Sequence, residues 1–283
     1  MMNSDSAFFI GKSHKICQDY SLYKDSLGLS YAMVSDGCSA SKDVDFGCRL
    51  LSKCAEKNIS LMLNDWDSLR FELTSVKDAF LLSDSLNIEQ SSLDATLLVA
   101  AVKDDKVYLR ASGDGAFILR KVNGDFLVIN IVYPRGYPCY PSYLLNKDGF
   151  DKLLLHFTER FCDDYKYRVN IELYDFSLKD STLILNETRE ANAAIDYKWS
   201  LSYKDIFDSK QYDLVLVMSD GIHTFFHKNN IISFEYVLSN LLGFKNYRGE
   251  FVQRRFQGFL RVCGQEGWDH DDDISFAGIH LGE

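Results

Sequence analysis

The stretch DATLLVAAVKDDKVYLRASGDGAFILRKVNGDFLVINIV, residues 94–132, decides the fold. It consists of four short apolar runs of strand length, separated by polar turn residues. Two of the turns lie where hairpins need them, at residues 103–106 (KDDK) and at Asn123-Gly124. The Asn-Gly pair is the strongest signal, because both residues tolerate the positive φ of a type I′ turn. The stretch therefore predicts four neighbouring antiparallel strands.

The residues that precede this stretch predict a strand and two helices. SYAMVS (30–35) is a short apolar run that leads into Asp36-Gly37, as expected of a buried strand that ends at a tight turn. Apolar residues then recur at helical spacing in two stretches, from 46 to 62 and from 69 to 86. Two adjacent helices are expected there.

The residues that follow it predict further strands and then helices. The segment DLVLVMSDG (213–221) repeats the earlier theme of an apolar strand that ends at Asp-Gly. The other predicted elements are β-like runs at 167–176 and 181–186, helical patterns at 231–242 and 252–263, and a last strand, ISFAGIHL, at 274–281. Strands and helices in long blocks predict an α+β layered domain.

Length and composition favour one domain. The chain has 283 residues, 46% of them hydrophobic and 14% aromatic, which is enough to bury a substantial core. It contains only three prolines, and no Gly/Ser/Pro-rich stretch marks a linker. We therefore expect a single domain over residues 1–283. A monomer is favoured, although the sequence does not determine the oligomeric state.

Charge and cysteine content exclude several classes of protein. The net charge of −10, with scattered Lys and Arg, argues against a nucleic-acid partner. No apolar run reaches the length of a membrane span, and the first residues do not resemble a signal peptide. Seven cysteines without a CxxC pair are typical of a reducing compartment. We expect a soluble, cytoplasmic protein.

Aspartates recur at the ends of predicted strands. Each of three apolar runs leads into a turn that contains Asp-Gly, and a fourth aspartate precedes a strand: these are Asp36, Asp114, Asp220 and Asp272. Carboxylates at strand ends can meet at one edge of a sheet, where their repulsion is costly unless a cation neutralises it. Their hard oxygens favour Mg²⁺, Mn²⁺ or Ca²⁺ over zinc. The six histidines show no HxH or HExxH spacing, and no P-loop or dinucleotide fingerprint is present.

The order of these motifs resembles that of the PP2C-like (PPM) phosphatases, in particular their compact bacterial branch. The resemblance spans almost the whole chain and rests on Gly11, His14, Cys17-Gln18-Asp19, MVSDG (33–37), DATLL (94–98), SGDG (112–115), LVMSDG (216–221) and DDISF (272–276). It implies a four-layer αββα sandwich of two antiparallel β-sheets flanked by helices. In that fold, the metal ions lie in a cleft at one edge of the sandwich.

The resemblance also assigns roles to individual residues. It implies that Asp36 bridges two core Mn²⁺ or Mg²⁺ ions, with help from the Gly37 carbonyl at the second. Asp220 and Asp272 would complete the first site. Asp19 would hold metal-bound water, and Asp114 would bind a possible third ion. The predicted catalytic residues are Asp36, Asp19 and His14.

Three positions depart from the family's pattern. Gln18 stands where many relatives have a metal-binding glutamate, and Asp273 stands where they usually have asparagine. His14 stands where a phosphate-binding arginine is often found. Two interpretations of His14 stay open: a protonated ring could contact the phosphate or the leaving group, or the histidine could be hydrogen-bonded within the turn.

The segment from 133 to 203 matches the family poorly. It carries Arg135, Arg160 and Arg168. We expect it either to form a flap that recognises the substrate or to be a surface segment without a role in recognition.

The predicted function is the hydrolysis of phosphoserine or phosphothreonine in proteins by a metal-activated water. The implied partner is a phosphorylated protein whose Ser/Thr kinase the enzyme opposes. Two alternatives stay open. One is a pseudophosphatase that binds phosphoproteins without turnover, and the other is a phosphatase of small phosphorylated metabolites.

Overall fold

The computed structural model describes residues 2–26, 28–133, 138–146, 168–192 and 203–282. Its helices are α1 (Val44–Asn64), α2 (Arg70–Ser85), α3 (Phe234–Leu241) and α4 (Phe251–Glu266). Its strands are β1 (Asn3–Phe9), β2 (Tyr20–Ser26), β3 (Leu29–Ser35), β4 (Leu97–Lys103), β5 (Lys106–Ser112), β6 (Gly115–Lys121), β7 (Phe126–Val132), β8 (Arg168–Ser177), β9 (Thr182–Asn192), β10 (Tyr203–Asp208), β11 (Tyr212–Met218), β12 (Phe225–His227), β13 (Asn230–Ile231), β14 (Trp268–His270) and β15 (Ile274–His280).

The described strands form two large antiparallel sheets and one small one. The seven-stranded sheet has the order β1-β15-β11-β6-β7-β8-β9, and the five-stranded sheet has the order β10-β5-β4-β3-β2. Strands β13, β12 and β14 form a separate three-stranded sheet, which the sequence pattern did not predict.

The two large sheets pack face to face, with helices on their outer faces. Alternate residues of β6 show this directly: Phe117 and Leu119 face the core shared with the five-stranded sheet, whereas Ile118 faces α3 and α4. On the other side, Met33 and Val99 of the five-stranded sheet pack against α1 and α2. The predicted α+β fold, a four-layer αββα sandwich, is confirmed.

One detail of the predicted strand order is wrong. Strands β4 to β7 are all present, but β4 and β5 belong to the five-stranded sheet and β6 and β7 to the seven-stranded one. The chain passes from one sheet to the other at Gly113-Asp114-Gly115. Gly113 and Gly115 have φ values of 99° and 130°, which residues with a side chain rarely adopt. Strands β5 and β6 are therefore not joined as a hairpin. The connection between them passes from one sheet to the other and carries Asp114.

Part of the divergent segment extends the seven-stranded sheet. Strands β8 and β9 pair with each other and continue outward from β7. Arg168 is the first residue of β8, while Arg135 and Arg160 lie outside the described residues. Within the part of the chain that the structure describes, no helix combines the length and apolar character needed to cross a membrane.

Candidate metal centre

The antiparallel pairing brings the strand-end aspartates to one edge of the sandwich. Strand β2 begins where β3 ends, with Tyr20 opposite Ser35, so Asp19 and Asp36 become neighbours. In the other sheet, Met218 at the end of β11 lies opposite Ala116 on one side and Phe276 on the other. Asp114, Asp220 and Asp272, which lie just outside these strands, are therefore also brought together.

Residues 94–96 hold the Asp36-Gly37 turn through main-chain groups and the Thr96 hydroxyl. The Asp36 amide donates to the Thr96 hydroxyl at 2.9 Å, and the Thr96 amide donates to the Asp36 carbonyl at 2.8 Å. The Cys38 amide donates to the Asp94 carbonyl at 2.8 Å, and Gly37 forms an isolated β-bridge with Ala95. The DATLL motif thus has a structural role at the site that sequence reasoning did not assign to it.

Asp19 is fully buried and is fixed by two serines. The Ser219 hydroxyl donates to Asp19 Oδ2 at 2.7 Å and in turn accepts a hydrogen bond from the Ser275 amide at 2.9 Å. Because Ser219 directly precedes Asp220, this chain of hydrogen bonds joins the two sheets at the point where the aspartates meet. Ser219 and Ser275 were missed as site residues; their only sequence signal is their place beside predicted ligands.

The aspartates interact with one another strongly. Asp36 is in hydrogen-bond contact with both Asp19 and Asp220. Burial, together with the charges of Asp19 and Asp220, raises the pKa of Asp36 well above its ordinary value. Burial also raises the pKa values of Asp19, Asp114 and Asp272, and the charge of Asp220 adds to the effect at Asp114 and Asp272. Without cations, protons must be shared among these carboxylates.

The donor set fits divalent cations that prefer oxygen. At this edge of the sandwich, several buried oxygens have no hydrogen-bond partner: Asp19 Oδ1, Asp220 Oδ1, Gln18 Oε1 and Ser275 Oγ. Unpartnered buried oxygens are costly unless a ligand satisfies them. Among the described residues, no three His, Cys, Asp or Glu side chains are already arranged as a metal cage.

Gly11 and Gly221 allow the chain to cross closely at Asp272-Asp273. A Cβ atom on Gly221 would lie 1.9 Å from the Asp273 carbonyl oxygen, and one on Gly11 would lie 2.3 Å from the Asp272 carbonyl carbon. Both distances are far below van der Waals contact, so only glycine fits at either position. The crossing brings the N-terminal loop, the Asp220 turn and Asp272 together.

The buried carboxylate of Asp273 organises the N-terminal loop, residues 11–18. It accepts hydrogen bonds from the Gly11 amide at 2.7 Å and the Gln18 amide at 2.5 Å. His14 Nδ1 lies 2.9 Å from the same carboxylate and 3.6 Å from Asp272 Oδ1. Burial lowers the pKa of His14, but the close contact with Asp273 and the other nearby carboxylates outweigh it and leave the pKa raised. The histidine thus lies at the site, within ion-pair distance of Asp273.

Part of the divergent segment packs against the Asp36 turn. The Ser142 hydroxyl donates to Asp94 Oδ1 at 2.6 Å, and Ser41 donates to Asp94 Oδ2 at 3.1 Å. Tyr140 is buried, and its side chain hydrogen-bonds with Cys38. Residues 138–146 therefore line the site, which the resemblance alone did not imply for this poorly matching stretch.

The structure places every predicted site residue at this edge. Asp19, Asp36 and Asp220 are in direct contact, and Asp114 and Asp272 lie within electrostatic range of Asp220. Gly37 adjoins the N-terminal loop, since a Cβ there would lie 2.8 Å from the Gln18 carbonyl oxygen. The metal-binding and catalytic roles themselves stay predictions.

Comparison with known proteins agrees with this arrangement. Residues 11–138 match the model of the family described as Protein phosphatase 2C. A bacterial serine phosphatase superposes with a TM-score of 0.55 at 12% identity, covering 100% of this chain and 98% of that one. The serine/threonine phosphatase Stp1 from Staphylococcus aureus gives 0.54 at 13% identity, with 100% and 96% coverage. The S. agalactiae serine/threonine phosphatase gives 0.52 at 13% identity, with 100% of both chains covered.

No curated protein sequence matches the chain. At these identities the solved structures establish the fold, whereas the family model ties residues 11–138 to the family by sequence. Residues 11–138 are therefore similar in sequence to the protein phosphatase 2C family, and the chain is folded like the bacterial serine/threonine phosphatases.

Proposed function

We propose that the protein is a metal-dependent phosphatase that hydrolyses phosphoserine or phosphothreonine in proteins. The observation that carries the proposal is the meeting of Asp19, Asp36 and Asp220 beside unpartnered buried oxygens. So many carboxylates in contact are unfavourable unless cations bind among them. The family match and the shared fold support the reaction class.

The residues would hold two core Mn²⁺ or Mg²⁺ ions. Asp36 would bind both, the Gly37 carbonyl would help at one, and Asp220 and Asp272 would complete the other. Asp114 would serve a third ion, and Asp19 would orient water from its buried position. Divalent cations in such a site supply an activated water and neutralise charge on the phosphoryl group.

His14 would act on the substrate rather than on the cations. Its Nδ1 lies 2.9 Å from Asp273 Oδ2, and this ion pair would hold the ring in place. The raised pKa of His14 favours the imidazolium, which suits contact with a phosphate oxygen or with the leaving group. This role accounts for the replacement of the family's arginine by a histidine with a carboxylate partner.

The substrate would be a phosphorylated protein, and the enzyme would oppose a Ser/Thr kinase. Tyr140 and Ser142 are buried and anchor residues 138–146 beside the Asp36 turn, and the more exposed residues 143–146 would contact the peptide around the phosphate. We also propose a cytoplasmic location, on the basis of the cysteine pattern.

The test is phosphate release from phosphoserine and phosphothreonine peptides with and without Mn²⁺. Asp36→Ala and Asp220→Ala should reduce turnover by more than the roughly 10–100-fold typical of residues that only orient a metal ligand. Asp175→Asn, which removes a carboxylate on β8 bound to Lys121 and Asn186, is the matched control and should retain activity. Turnover that persists in EDTA, or in both alanine variants, would contradict the proposal.

The same assay separates the alternatives. A pure protein that binds Mn²⁺ but releases no phosphate from any phosphopeptide would be a binding module, an outcome that the replacements at Gln18 and His14 make worth testing. Faster turnover of small phosphorylated metabolites than of peptides would instead assign the protein to metabolite phosphatases.

A further inference from the structure

A chain of four polar side chains runs from the Asp220 turn to strand β8. His223 is the last residue of the short helical turn Asp220–His223. Its Nε2 lies 3.1 Å from Asn130 Oδ1 on β7. The Asn130 amide donates to Glu172 Oε2 on β8 at 3.1 Å, and the Tyr174 hydroxyl donates to the same oxygen at 2.7 Å.

The donors and acceptors of this chain have a definite direction. An ionised Glu172 only accepts hydrogen bonds, so Asn130 must present its NH₂ to Glu172 and its carbonyl oxygen to His223. Nε2 of His223 must then carry a proton. Burial lowers the pKa of His223 and so favours the neutral ring, in which Nδ1 has a free lone pair. The Glu172 carboxylate on β8 thus fixes, through Asn130, the orientation of the His223 ring, three residues from Asp220.

Asn130 and His223 are too well packed for water to replace a hydrogen bond that is lost between them. Asn130 is only 6% exposed, and the ring of His223 packs on Phe234 with centroids 4.3 Å apart. Loss of one member would leave a buried polar partner unsatisfied, which costs more than the bond itself contributes. These four hydrogen-bonded side chains therefore act as one unit that joins the Asp220 turn to strands β7 and β8.

We propose that His223, Asn130, Glu172 and Tyr174 form a positioning network that sets Asp220 for cation binding. The inference rests on the proposed function, because it assigns a role in the same metal centre. It also ties that centre to β7 and β8, the two strands between which the divergent residues 133–167 are inserted. Changes at Glu172 or Tyr174, on the outer part of the sheet, should thus alter Mn²⁺ affinity.

The experiment is calorimetric titration of the full chain with Mn²⁺. His223→Phe keeps an aromatic ring against Phe234 but removes the Nε2 donor, and it should weaken Mn²⁺ binding by about 10-fold or more, as loss of a group that orients a metal ligand typically does. His223→Gln, which places an N–H donor near the same position, should restore most of the affinity. Asp175→Asn changes a residue of β8, the strand of Glu172 and Tyr174, that lies outside the network, and it should leave Mn²⁺ affinity unchanged.

Tyr174→Phe is a milder variant, since it removes only one hydroxyl at the far end of the chain. It should weaken Mn²⁺ binding measurably but less than His223→Phe does. The double variant His223→Phe/Tyr174→Phe should lose less affinity than the two single losses combined, because the network is already broken at His223.

Outcomes for the network and for the enzyme are distinguishable. Variants that lower the unfolding temperature but bind Mn²⁺ as tightly as wild type would overturn the positioning role and leave a purely structural one. Wild-type protein that binds Mn²⁺ without turnover would overturn the proposed activity, while the affinities would still decide the network. Wild-type protein that binds no Mn²⁺ would overturn both.

Discussion

The two sheets fix their aspartates in different ways. On the five-stranded sheet, Asp36 is held by the main chain and hydroxyl of residues 94–96, whose hydrogen bonds are 2.8–2.9 Å long. On the seven-stranded sheet, Asp220 and Asp272 are held by a crossing at Gly11 and Gly221 that leaves no room for a Cβ. A hydrogen-bonded clamp can lose one bond and survive. A Cβ on Gly221 would lie 1.9 Å from a backbone oxygen, a tighter approach than the 2.8 Å found for Gly37 beside Asp36. We therefore expect the seven-stranded side to be the more sensitive to small substitutions.

Gly221→Ala should have the largest effect. The added methyl group would lie 1.9 Å from the Asp273 carbonyl oxygen, so the backbone must move. We expect a loss of about 3 kcal/mol in the free energy of unfolding, together with loss of Mn²⁺ binding. Urea unfolding followed by circular dichroism measures the first, and calorimetry the second. Gly258→Ala, where no atom lies within 4 Å of the added carbon, is the control. A Gly221→Ala protein with wild-type stability and affinity would remove the distinction between the two sides.

The aspartates of the two sheets interact with one another at the site. We therefore expect a change of pH to have the second-largest effect on stability. The pKa values of Asp36, Asp114 and Asp272 are raised in the folded protein, so the folded state binds more protons than the unfolded state between the ordinary and the raised values. Stability of the metal-free protein should therefore fall as pH rises from the ordinary aspartate pKa, about 4, through the raised values of the folded protein. Saturating Mn²⁺ should flatten this dependence, because cations replace the protons.

Thermal unfolding at several pH values, with EDTA or with Mn²⁺, measures this dependence. Asp36→Asn should make the metal-free protein less sensitive to pH, since it removes one of the interacting charges. A metal-free protein that becomes more stable as pH rises would contradict the electrostatic account.

Asp273→Asn should have an intermediate effect, confined to the seven-stranded side. Asparagine retains one acceptor oxygen, but the carboxylate accepts hydrogen bonds from the Gly11 and Gln18 amides and lies 2.9 Å from His14 Nδ1. Hydrogen bonds to charged groups contribute about 1.5–3 kcal/mol each, so we expect a loss of about 2 kcal/mol in stability and a higher KM for phosphopeptide. Steady-state kinetics and urea unfolding test this. If His14→Ala and Asp273→Asn affect KM independently, the two residues do not act together.

Thr96→Val should have the smallest effect. It removes the hydroxyl that accepts from the Asp36 amide while keeping the shape of the side chain. A donor left without its acceptor costs about 1–3 kcal/mol, and we expect the low end because Asp36 is only half-buried and the main-chain hydrogen bonds of the clamp remain. Thr96→Ser, which keeps the hydroxyl, should be closer to wild type. A loss with Thr96→Val as large as that with Gly221→Ala, in the same unfolding assay, would reverse the comparison between the sheets.

Much of the fold and most of the site could be predicted from the sequence. The alternating strand pattern, the turn signals and the strand-end aspartates depend only on residues that are close in sequence. They can therefore be recognised without the tertiary structure. Because β2 begins where β3 ends and β15 begins where β11 ends, aspartates at strand ends had to come together once the pairing was known. The sequence did not reveal that β5 and β6 lie in different sheets, since a turn signal does not say which sheet receives the next strand.

The sequence by itself determined the element types, the family resemblance and the aspartates that face one another. Only the tertiary structure decided what holds them: the hydroxyl of Ser219 on Asp19, the carboxylate of Asp273 in the N-terminal loop, and the chain from His223 to Tyr174. The physical reason is that each of these contacts joins residues distant in the chain through directional hydrogen bonds. Their partners depend on atomic positions that are set by packing, and residue order does not encode those positions locally.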